Sequence, residues 1–258
     1  MSATTTTARL ADICMVAIAE CFRGDGEILA NPIGNGPMIG GRLARATFSP
    51  DMLMTDGEAQ LIENTAPVGV ADPPKVVAAW NPYRNMFNIV WGGRRHIIMG
   101  ASQMDAYGNH NFSLIGDPAA PKSQLLGFRG APGNTINNIT SYWIPNHSAK
   151  VFVPSVDVVC GVGNDRAAAL QPAQRRFHQL RYVVTNLAVL DFETPDGRLR
   201  VRSLHPGVSA DDVISATGFE IACAAEVGTT RLPTEDELAL LEAIDPNGLR
   251  YREVPDPA

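Results

Sequence analysis

The sequence of 258 residues has no long apolar run, which argues against an integral membrane protein. The apolar stretch near its start ends at Glu20, whereas a transmembrane helix needs about 18 or more largely uncharged residues. The first residues also lack the basic segment and the apolar core of a secretory signal peptide. We therefore expect neither a membrane span nor export.

Cysteine is scarce as well, with four residues that form no CxxC pair. A chain of this length needs no disulfides to hold its core. Cys14 and Cys21 lie on the apolar face of a predicted helix, so we expect buried thiols in a reduced, cytoplasmic protein. The five histidines show neither HxxxH nor HxxH spacing, and we expect no metal site and mainly surface or hydrogen-bonded core roles.

Basic residues are outnumbered, 21 against 27 acidic ones, which gives a formal charge of −6. This balance argues against nucleic acid or an anionic membrane as a partner. Hydrophobic residues make up 45% of the chain, whereas disorder requires low hydrophobicity together with high net charge. Because the sequence also lacks internal repeats and low-complexity linkers, we expect residues 1–258 to form a single domain.

Short buried strands alternate with Gly-rich loops and helices in the first part of the chain. Apolar residues recur at i, i+3, i+4 and i+7 from Leu10 to Cys21, which is typical of an amphipathic helix. The alternation predicts βαβ units in an α/β fold with a mainly parallel sheet. Functional loops in such sheets gather at the carboxyl ends of the strands, so the segments after Ala30 and Met54 are the first candidates for chemistry.

The same patterns predict the remaining elements. We expect strands over 27–30, 52–54, 96–99, 112–115, 125–128, 151–153, 182–192 and 199–204, and further helices over 38–47, 209–217 and 235–244. Ser209 and Thr234 have the side chains and spacing of helix N-caps. The segment 64–95, which contains four prolines, gives a weaker signal.

Three segments resemble family I coenzyme A transferases. Gly100–Asn111 (GASQMDAYGNHN) is similar to a polar loop of that family, and Arg129–Asn134 (RGAPGN) is similar to the Gly-rich turn that family members place against the thioester. Asp245–Pro255 (DPNGLRYREVP) resembles the ending of beta subunits of the glutaconate transferase type. The segments follow the family's order, and together they are a strong signal.

The resemblance implies the open αβα sandwich of the coenzyme A transferase fold. It also implies a coenzyme A transferase-like alpha subunit as partner, usually in an α2β2 assembly. Within the family, Ser49–Leu61, Pro132–Asn137 and Thr140–Trp143 resemble a subgroup of hydrolases. These enzymes open the last ring of a steroid-derived cyclic oxo-acyl-CoA. Coenzyme A would then enter as part of the substrate, with no bound cofactor.

One position departs from the transferase pattern. Transferases of this family carry a glutamate nucleophile directly after the strand that corresponds to residues 52–54. At that position the present sequence has Asp56, followed by Gly57 and Glu58. Asp56 is one methylene shorter, and a displacement of about 1 Å can cost about 100-fold in rate. We therefore expect water to replace the carboxylate as the attacking group, with Asp56 as a catalytic candidate and Gly57 and Glu58 as substrate contacts. A plain turn after the strand is the alternative.

The Gly-rich turn supplies further catalytic candidates. Hydrolytic cleavage of a C–C bond next to a thioester leaves an enolate, which N–H donors stabilise as an oxyanion hole does. Gly130 and Gly133 permit close backbone approach, and Asn134 adds a side-chain amide donor. An ordinary Gly-Pro turn is the alternative.

Polar and aromatic residues elsewhere could bind substrate. Gln103, Asn109 and Asn111 follow a predicted strand, although Asn109 together with Asp105 equally suits a structural role in the loop. Trp143 is a candidate wall for a steroid-derived ring, with core packing or a subunit interface as the alternative.

Three arginines are candidate contacts for the phosphates of coenzyme A. For Arg84, Arg94 and Arg95 we favour a solvated surface over that role.

Three functions stay open from the sequence. The first is a beta subunit of a ring-opening acyl-CoA hydrolase whose catalytic carboxylate comes from the alpha chain. The second is a genuine acyl transferase that uses Asp56 as nucleophile. The third is a non-catalytic scaffold subunit.

Overall fold

The structure, a computed structural model, describes residues 8–55 and 59–255. Its helices are α1 (Leu10–Glu20), α2 (Asn35–Thr47), α3 (Tyr83–Val90), α4 (Ala131–Asn137), α5 (Asn164–Ala168), α6 (Ala210–Ser215), α7 (Glu235–Ile244) and α8 (Leu249–Glu253). Its strands are β1 (Leu29–Pro32), β2 (Leu53–Thr55), β3 (Gln60–Ile62), β4 (Val77–Trp80), β5 (Arg95–Met99), β6 (Gln103–Met104), β7 (His110–Asn111), β8 (Leu114–Ile115), β9 (Ser123–Gln124), β10 (Ile139–Ile144), β11 (Gln179–Thr185), β12 (Ala188–Asp191), β13 (Arg200–Leu204) and β14 (Ala222–Thr229).

Ten strands form one mixed sheet in the order β14-β13-β12-β11-β10-β5-β1-β2-β3-β4. The five central strands, from β11 to β2, all run parallel to one another. Antiparallel pairing begins outside this block, at β12 on one side and at β3 on the other. The mainly parallel sheet predicted from the sequence is therefore confirmed, and the carboxyl ends of β1, β2, β5 and β10 share one edge.

Each face of the sheet is buried by its own apolar cluster. Side chains alternate along β5, so that Ile98 packs towards α1 and α2 while Ile97 and Met99 pack on the opposite face. Trp143 in β10 belongs to the α1–α2 face, and its neighbour Tyr142 belongs to the other. This alternation fixes which residues of a strand can reach a given loop.

Helix α1 is buried more completely than its predicted amphipathic pattern suggests. All nine residues from Ala11 to Ala19 are buried, because α1 lies between the sheet and helices α2, α7 and α8. Gly40 in α2 makes this close packing possible, since a Cβ there would come within 2.5 Å of Cγ2 of Ile18. The expectation that Cys14 and Cys21 are buried thiols is confirmed.

Several predicted elements differ in the structure. Residues 125–128 form no strand, and Leu126 is 68% exposed on a surface loop. Residues 151–153 make a single bridge between Phe152 and Met104 instead of a strand. The predicted strand 182–192 is divided into β11 and β12, because the chain turns back at Asn186 and Leu187.

The segment 64–95 holds more structure than its weak sequence signal suggested. It contains β4 and α3, and most of the apolar residues of these two elements are exposed. By contrast, α7 has its predicted bounds, and Ser209 and Thr234 cap their helices as expected. No helix within the described ranges is long and apolar enough to cross a membrane.

Candidate active site

A cavity of about 380 Å³ lies at the carboxyl ends of β1 and β5. Ile33, which follows β1, and Met99, the last residue of β5, form its apolar floor. Its other lining residues are Gly100, Ala101, Ser102, Phe112, Leu126, Arg129, Gly130, Ala131 and Asn134. The cavity therefore lies where functional loops were expected, and the Gly-rich turn forms one of its walls.

Two of the predicted catalytic residues, Gly130 and Asn134, line this cavity together. They are brought together by the start of α4, where the backbone N–H of Asn134 donates to the carbonyl of Gly130 at 2.9 Å. The preceding Arg129 has a φ of 47°, in the left-handed region that favours glycine. Such backbone strain is often found where a loop serves a binding site.

The side-chain amide of Asn134 is oriented by one contact. Its Oδ1 accepts a hydrogen bond from Nη1 of Arg95 at 3.4 Å. Its Nδ2 makes no hydrogen bond to the described residues, and this atom is not fully buried. The N–H donors of this amide are therefore available to a molecule in the cavity.

Gly133 has a different environment from Gly130. It lies within α4 but does not line the cavity, and a Cβ at this position would approach Cγ1 of Val90 to 3.0 Å. This geometry supports close packing of α4 on α3. A catalytic role for Gly133 stays a prediction.

Gln103 and Asn111 are bound to each other instead of facing the cavity. Nδ2 of Asn111 donates to Oε1 of Gln103 at 2.7 Å, and Nε2 of Gln103 donates to Asp157 at 3.0 Å. Asn111 also donates to the carbonyl of Leu114 and accepts from the backbone of Ser113. Both side chains have their hydrogen-bonding groups occupied, which leaves their predicted substrate contacts without geometric support.

Asn109 and Asp105 hold the loop in the way that the sequence suggested as an alternative. One carboxylate oxygen of Asp105 accepts from the backbone N–H groups of Tyr107 and Asn109, both at 3.0 Å. Oδ1 of Asn109 accepts from the backbone of Gly163 at 2.7 Å. Burial raises the pKa of Asp105 and outweighs these hydrogen bonds, but the carboxyl does not line the cavity.

Trp143 points away from the cavity into the helical layer. Its indole Nε1 donates to Oε2 of Glu253 at 2.8 Å, and its side chain packs in the cluster around α1 and α2. Core packing, the alternative that the sequence left open, describes this geometry better than a wall for a steroid ring.

Asp56, Gly57 and Glu58 lie outside the described residues. The last described residue before them, Thr55, ends β2, which runs parallel to β1. Thr55 therefore lies at the carboxyl edge of the sheet.

The position of Arg95 differs from the solvated surface expected for it, and sequence reasoning missed its burial. Arg84 and Arg94 are exposed, as favoured, but Arg95 is only 3% exposed. Its position at the start of a strongly apolar strand, before Ile97, was the available sign of burial. Desolvation lowers the pKa of its guanidinium to about 10.

A buried chain of polar groups, Asp25, His96 and Ser141, resembles a catalytic triad in its contacts. Nδ1 of His96 lies 2.6 Å from Asp25, and Nε2 lies 2.9 Å from Oγ of Ser141. Desolvation lowers the pKa of His96, which favours a neutral imidazole. Ser141 and His96 are fully buried and do not line the cavity. These hydrogen bonds therefore join the loop after α1, which carries Asp25, to strands β5 and β10, and Ser141 is not a nucleophile.

The remaining histidines are mostly hydrogen-bonded core residues, as the sequence suggested. His110, His147 and His205 are buried and each bonds a hydroxyl group. Among the described residues, no group of three or more His, Cys, Asp or Glu side chains is arranged to hold a metal ion.

The α/β fold places a cavity at the carboxyl edge of the sheet, against a Gly-rich turn and an amide donor, where enzymes of this architecture bind their substrates. The family described as coenzyme A transferase matches residues 86–216. The chain belongs to the coenzyme A transferase family. This confirms the resemblance and the fold expected from the sequence motifs.

Individual relatives divide into hydrolases and transferases. The chain is 49% identical over 255 residues to the cholesterol ring-cleaving hydrolase IpdB subunit of Rhodococcus jostii, a match that covers 98% of this chain and 99% of the relative. It is 30% identical to one of the subunits of the 3-oxoadipate CoA-transferase of Pseudomonas knackmussii, over 88% of this chain and 86% of the relative. A chain of the crystal structure of Rhodococcus jostii RHA1 IpdAB superposes with a TM-score of 0.90 at 48% identity, covering 97% of this chain and 99% of that one.

Proposed function

We propose that this chain is the beta subunit of a heteromeric hydrolase that opens the last ring of a steroid-derived cyclic oxo-acyl-CoA. The observation that carries this proposal is the 49% identity over nearly the whole chain to a ring-cleaving hydrolase subunit. The identity to a transferase subunit is 30%. The replacement at Asp56 supports the same choice, because it shortens the side chain on which covalent transfer depends.

The proposed reaction is a hydrolytic cleavage of the retro-Claisen type. Water adds to the ring ketone, and the bond between that carbon and the α-carbon of the thioester breaks. The electron pair moves into the thioester carbonyl as an enolate, which then takes a proton at carbon. The products are a new carboxylic acid and an intact coenzyme A thioester in one open-chain molecule.

Residues of this chain serve the enolate in this reaction. Nδ2 of Asn134 is a free donor at the cavity wall, and the backbone of Gly130 lies beside it. Loss of a single donor to a developing oxyanion typically lowers kcat by about 10²- to 10³-fold. The apolar floor of Ile33 and Met99 excludes water from the same wall and strengthens this interaction.

The group that activates water is proposed to come from the partner subunit. Of the described residues that line the cavity, none carries a carboxylate or an imidazole. A general base must lie within hydrogen-bond reach of the water that it deprotonates. The cavity is thus half of a site, which fits an assembly with a coenzyme A transferase-like alpha subunit in an α2β2 arrangement.

An exposed apolar surface also supports an assembly. Trp80, Tyr83, Phe87 and Trp91, from β4, α3 and the residue after it, are each 61–73% exposed. Apolar patches of this kind mark interfaces more often than solvent-facing surface.

We propose a cytoplasmic location, coenzyme A as part of the substrate, and no separate bound cofactor.

Product analysis in ¹⁸O-labelled water tests this function. The chain, purified together with its alpha-type subunit, is incubated with a cyclic oxo-acyl-CoA that carries the last steroid ring. The proposal predicts a ring-opened product that keeps coenzyme A and carries ¹⁸O in its new carboxyl group. A reaction without enzyme corrects for exchange at the ketone.

Two results would contradict the proposal. Transfer of coenzyme A to a free carboxylic acid, with the ring left closed, would identify a transferase. Ring opening by the alpha subunit alone at the rate of the complex would leave this chain as a scaffold.

A further inference from the structure

Arg95 is a buried cation without a counter-ion among residues 8–55 and 59–255. Its guanidinium contacts two neutral side chains, Oδ1 of Asn31 through Nη2 and Oδ1 of Asn134 through Nη1. Its Nε is buried and has no hydrogen-bond partner. No carboxylate among the described residues pairs with it.

The other fully buried arginine of this chain shows how unusual this is. Arg250 is surrounded by carboxylates, with Asp12 at 2.7 Å and Asp245 at 3.1 Å. Burial of an unpaired charge is costly, and folded proteins normally avoid it by pairing or neutralisation. Arginine cannot readily give up its proton, so Arg95 keeps its charge close behind the wall of the cavity.

Arg95 also determines which way the amide of Asn134 faces. The guanidinium carries only donors, so the oxygen of the amide must point towards it. A flipped amide would place its NH₂ group against those donors and lose the hydrogen bond. The Nδ2 donors of Asn134 are consequently directed away from Arg95, on the side that lines the cavity.

We propose that Arg95 is a positioning residue, which holds the Asn134 amide with its N–H donors towards the cavity and polarises these donors with its buried positive charge, so that the amide stabilises the enolate. This inference rests on the proposed function, because the enolate is the anion of that reaction. Positive charge behind the amide polarises its N–H bonds and acts in a poorly screened environment. The interaction strengthens as charge develops, so it lowers the barrier more than it tightens substrate binding.

A double-mutant cycle tests the coupling in the assembled hydrolase. Arg95→Met removes the charge and keeps an apolar side chain, and we expect kcat to fall on the order of 10- to 100-fold with little change in KM. In the Asn134→Ala background the same substitution should cost less than about 3-fold, because the amide is already absent. Equal losses in both backgrounds, or no loss, would overturn the proposal.

The conservative variant adds a readout that a structural role would not move. The side chains that meet the guanidinium, Asn31 of β1 and Asn134 of α4, do not titrate. A lysine without a counter-ion in this place should have a lowered pKa. Arg95→Lys should therefore keep activity at low pH and lose it as the pH rises, where the wild type is unaffected. A pH profile identical to that of the wild type would overturn the proposal.

Arg42→Met is the matched control. Nη1 of Arg42 is likewise buried without a partner, but this arginine lines a different cavity, beside Val68 and Pro73. It should leave kcat and the pH profile unchanged. An equal loss of kcat on Arg42→Met would show a general effect of removing buried charge and would contradict the proposal.

A crystal structure of the Arg95→Met variant separates this inference from the proposed function. The side chain of Asn134 should turn or become disordered, whatever reaction the enzyme catalyses. An Asn134 side chain that stays ordered in its wild-type conformation without Arg95 would overturn the positioning role. Failure of the wild type to open the ring would count against the proposed function alone.

Discussion

Arg250 donates from Nε to Oδ1 of Asp12 across 2.7 Å, joining the last described helix to the first. Asp245 accepts from the same guanidinium, and Glu253 accepts from both Trp143 and the backbone of Gly36. The C-terminal segment that carried part of the family resemblance therefore ties α8 to α1, α2 and the sheet. Its role in this chain is structural.

Arg250→Met should destabilise the protein by about 3–5 kcal/mol, because it leaves Asp12 and Asp245 buried without their cation. Urea denaturation followed by circular dichroism measures this loss. Arg198→Met is the control, since Arg198 pairs with Asp196 on the surface, and such pairs are worth about 1 kcal/mol or less. A similar small effect for both variants would show that the Arg250 cluster does not anchor the C-terminal segment.

Asn134→Ala should lower kcat of the assembled enzyme by about 10²- to 10³-fold, because it removes the amide donor at the cavity wall. Steady-state kinetics on the ring substrate would measure this effect. Asn137→Ala serves as control, because Asn137 lies in the same helix and bonds only the carbonyl of Gly133. Equal activity of the two variants would remove Asn134 from the catalytic machinery.

The two glycines of the turn should respond differently to alanine. A Cβ at Gly130 would lie 3.5 Å from Nδ2 of Asn134, which is ordinary van der Waals contact, so Gly130→Ala should keep stability and reduce kcat by narrowing access to the donor. A Cβ at Gly133 would press on Val90, so Gly133→Ala should cost about 1 kcal/mol of stability through overpacking. Kinetic and thermal measurements on both variants distinguish the two effects. Loss of stability in Gly130→Ala together with loss of kcat in Gly133→Ala would contradict the prediction.

Stability should decline as the pH falls below about 6.5. Burial lowers the pKa of His110 to about 3 and that of His147 to about 4, while both have a pKa of about 6.5 in the unfolded chain. Between about pH 4 and pH 6.5 the unfolded state therefore binds more protons than the folded state, so stability that is present above pH 6.5 is lost on acidification.

Urea titrations at pH 7.5 and pH 5 would measure this loss. Each such histidine should contribute about 1.4 kcal/mol per pH unit within the window. His147→Gln should reduce the pH dependence of the free energy of unfolding by the equivalent of about one proton. A free energy of unfolding that is constant between pH 7.5 and pH 5 would contradict a neutral, buried state for these histidines.

Much of the fold could be predicted because local signals agreed with it. The capping residue Thr234 and the apolar repeat of α1 gave elements that the structure reproduces. Helix α3 escaped prediction although its apolar residues recur at i, i+3, i+4 and i+7, because its eight residues are shorter than the window over which such periodicity is read. The apolar run 125–128 misled because its apolar residues face solvent or the cavity instead of a sheet.

The site was only partly predictable. Gly130 and Asn134 follow from the motif, because the turn and the helix start are local in sequence. Gln103 is held by Asp157, which lies 54 residues away, so no local pattern reveals that its hydrogen-bonding groups are occupied. Arg95 was missed for a similar reason, because its environment is made by β1 and α4.

The central claim is that water, and not a side chain of this subunit, attacks the substrate. Its most direct test is a borohydride trap during turnover by the assembled enzyme, followed by peptide mass spectrometry of the segment that contains Asp56. We expect no reduced aspartyl adduct, and an Asp56→Ala variant that still opens the ring at a measurable rate. An aspartyl-CoA thioester trapped at Asp56, together with complete loss of turnover in the Asp56→Ala variant, would contradict it.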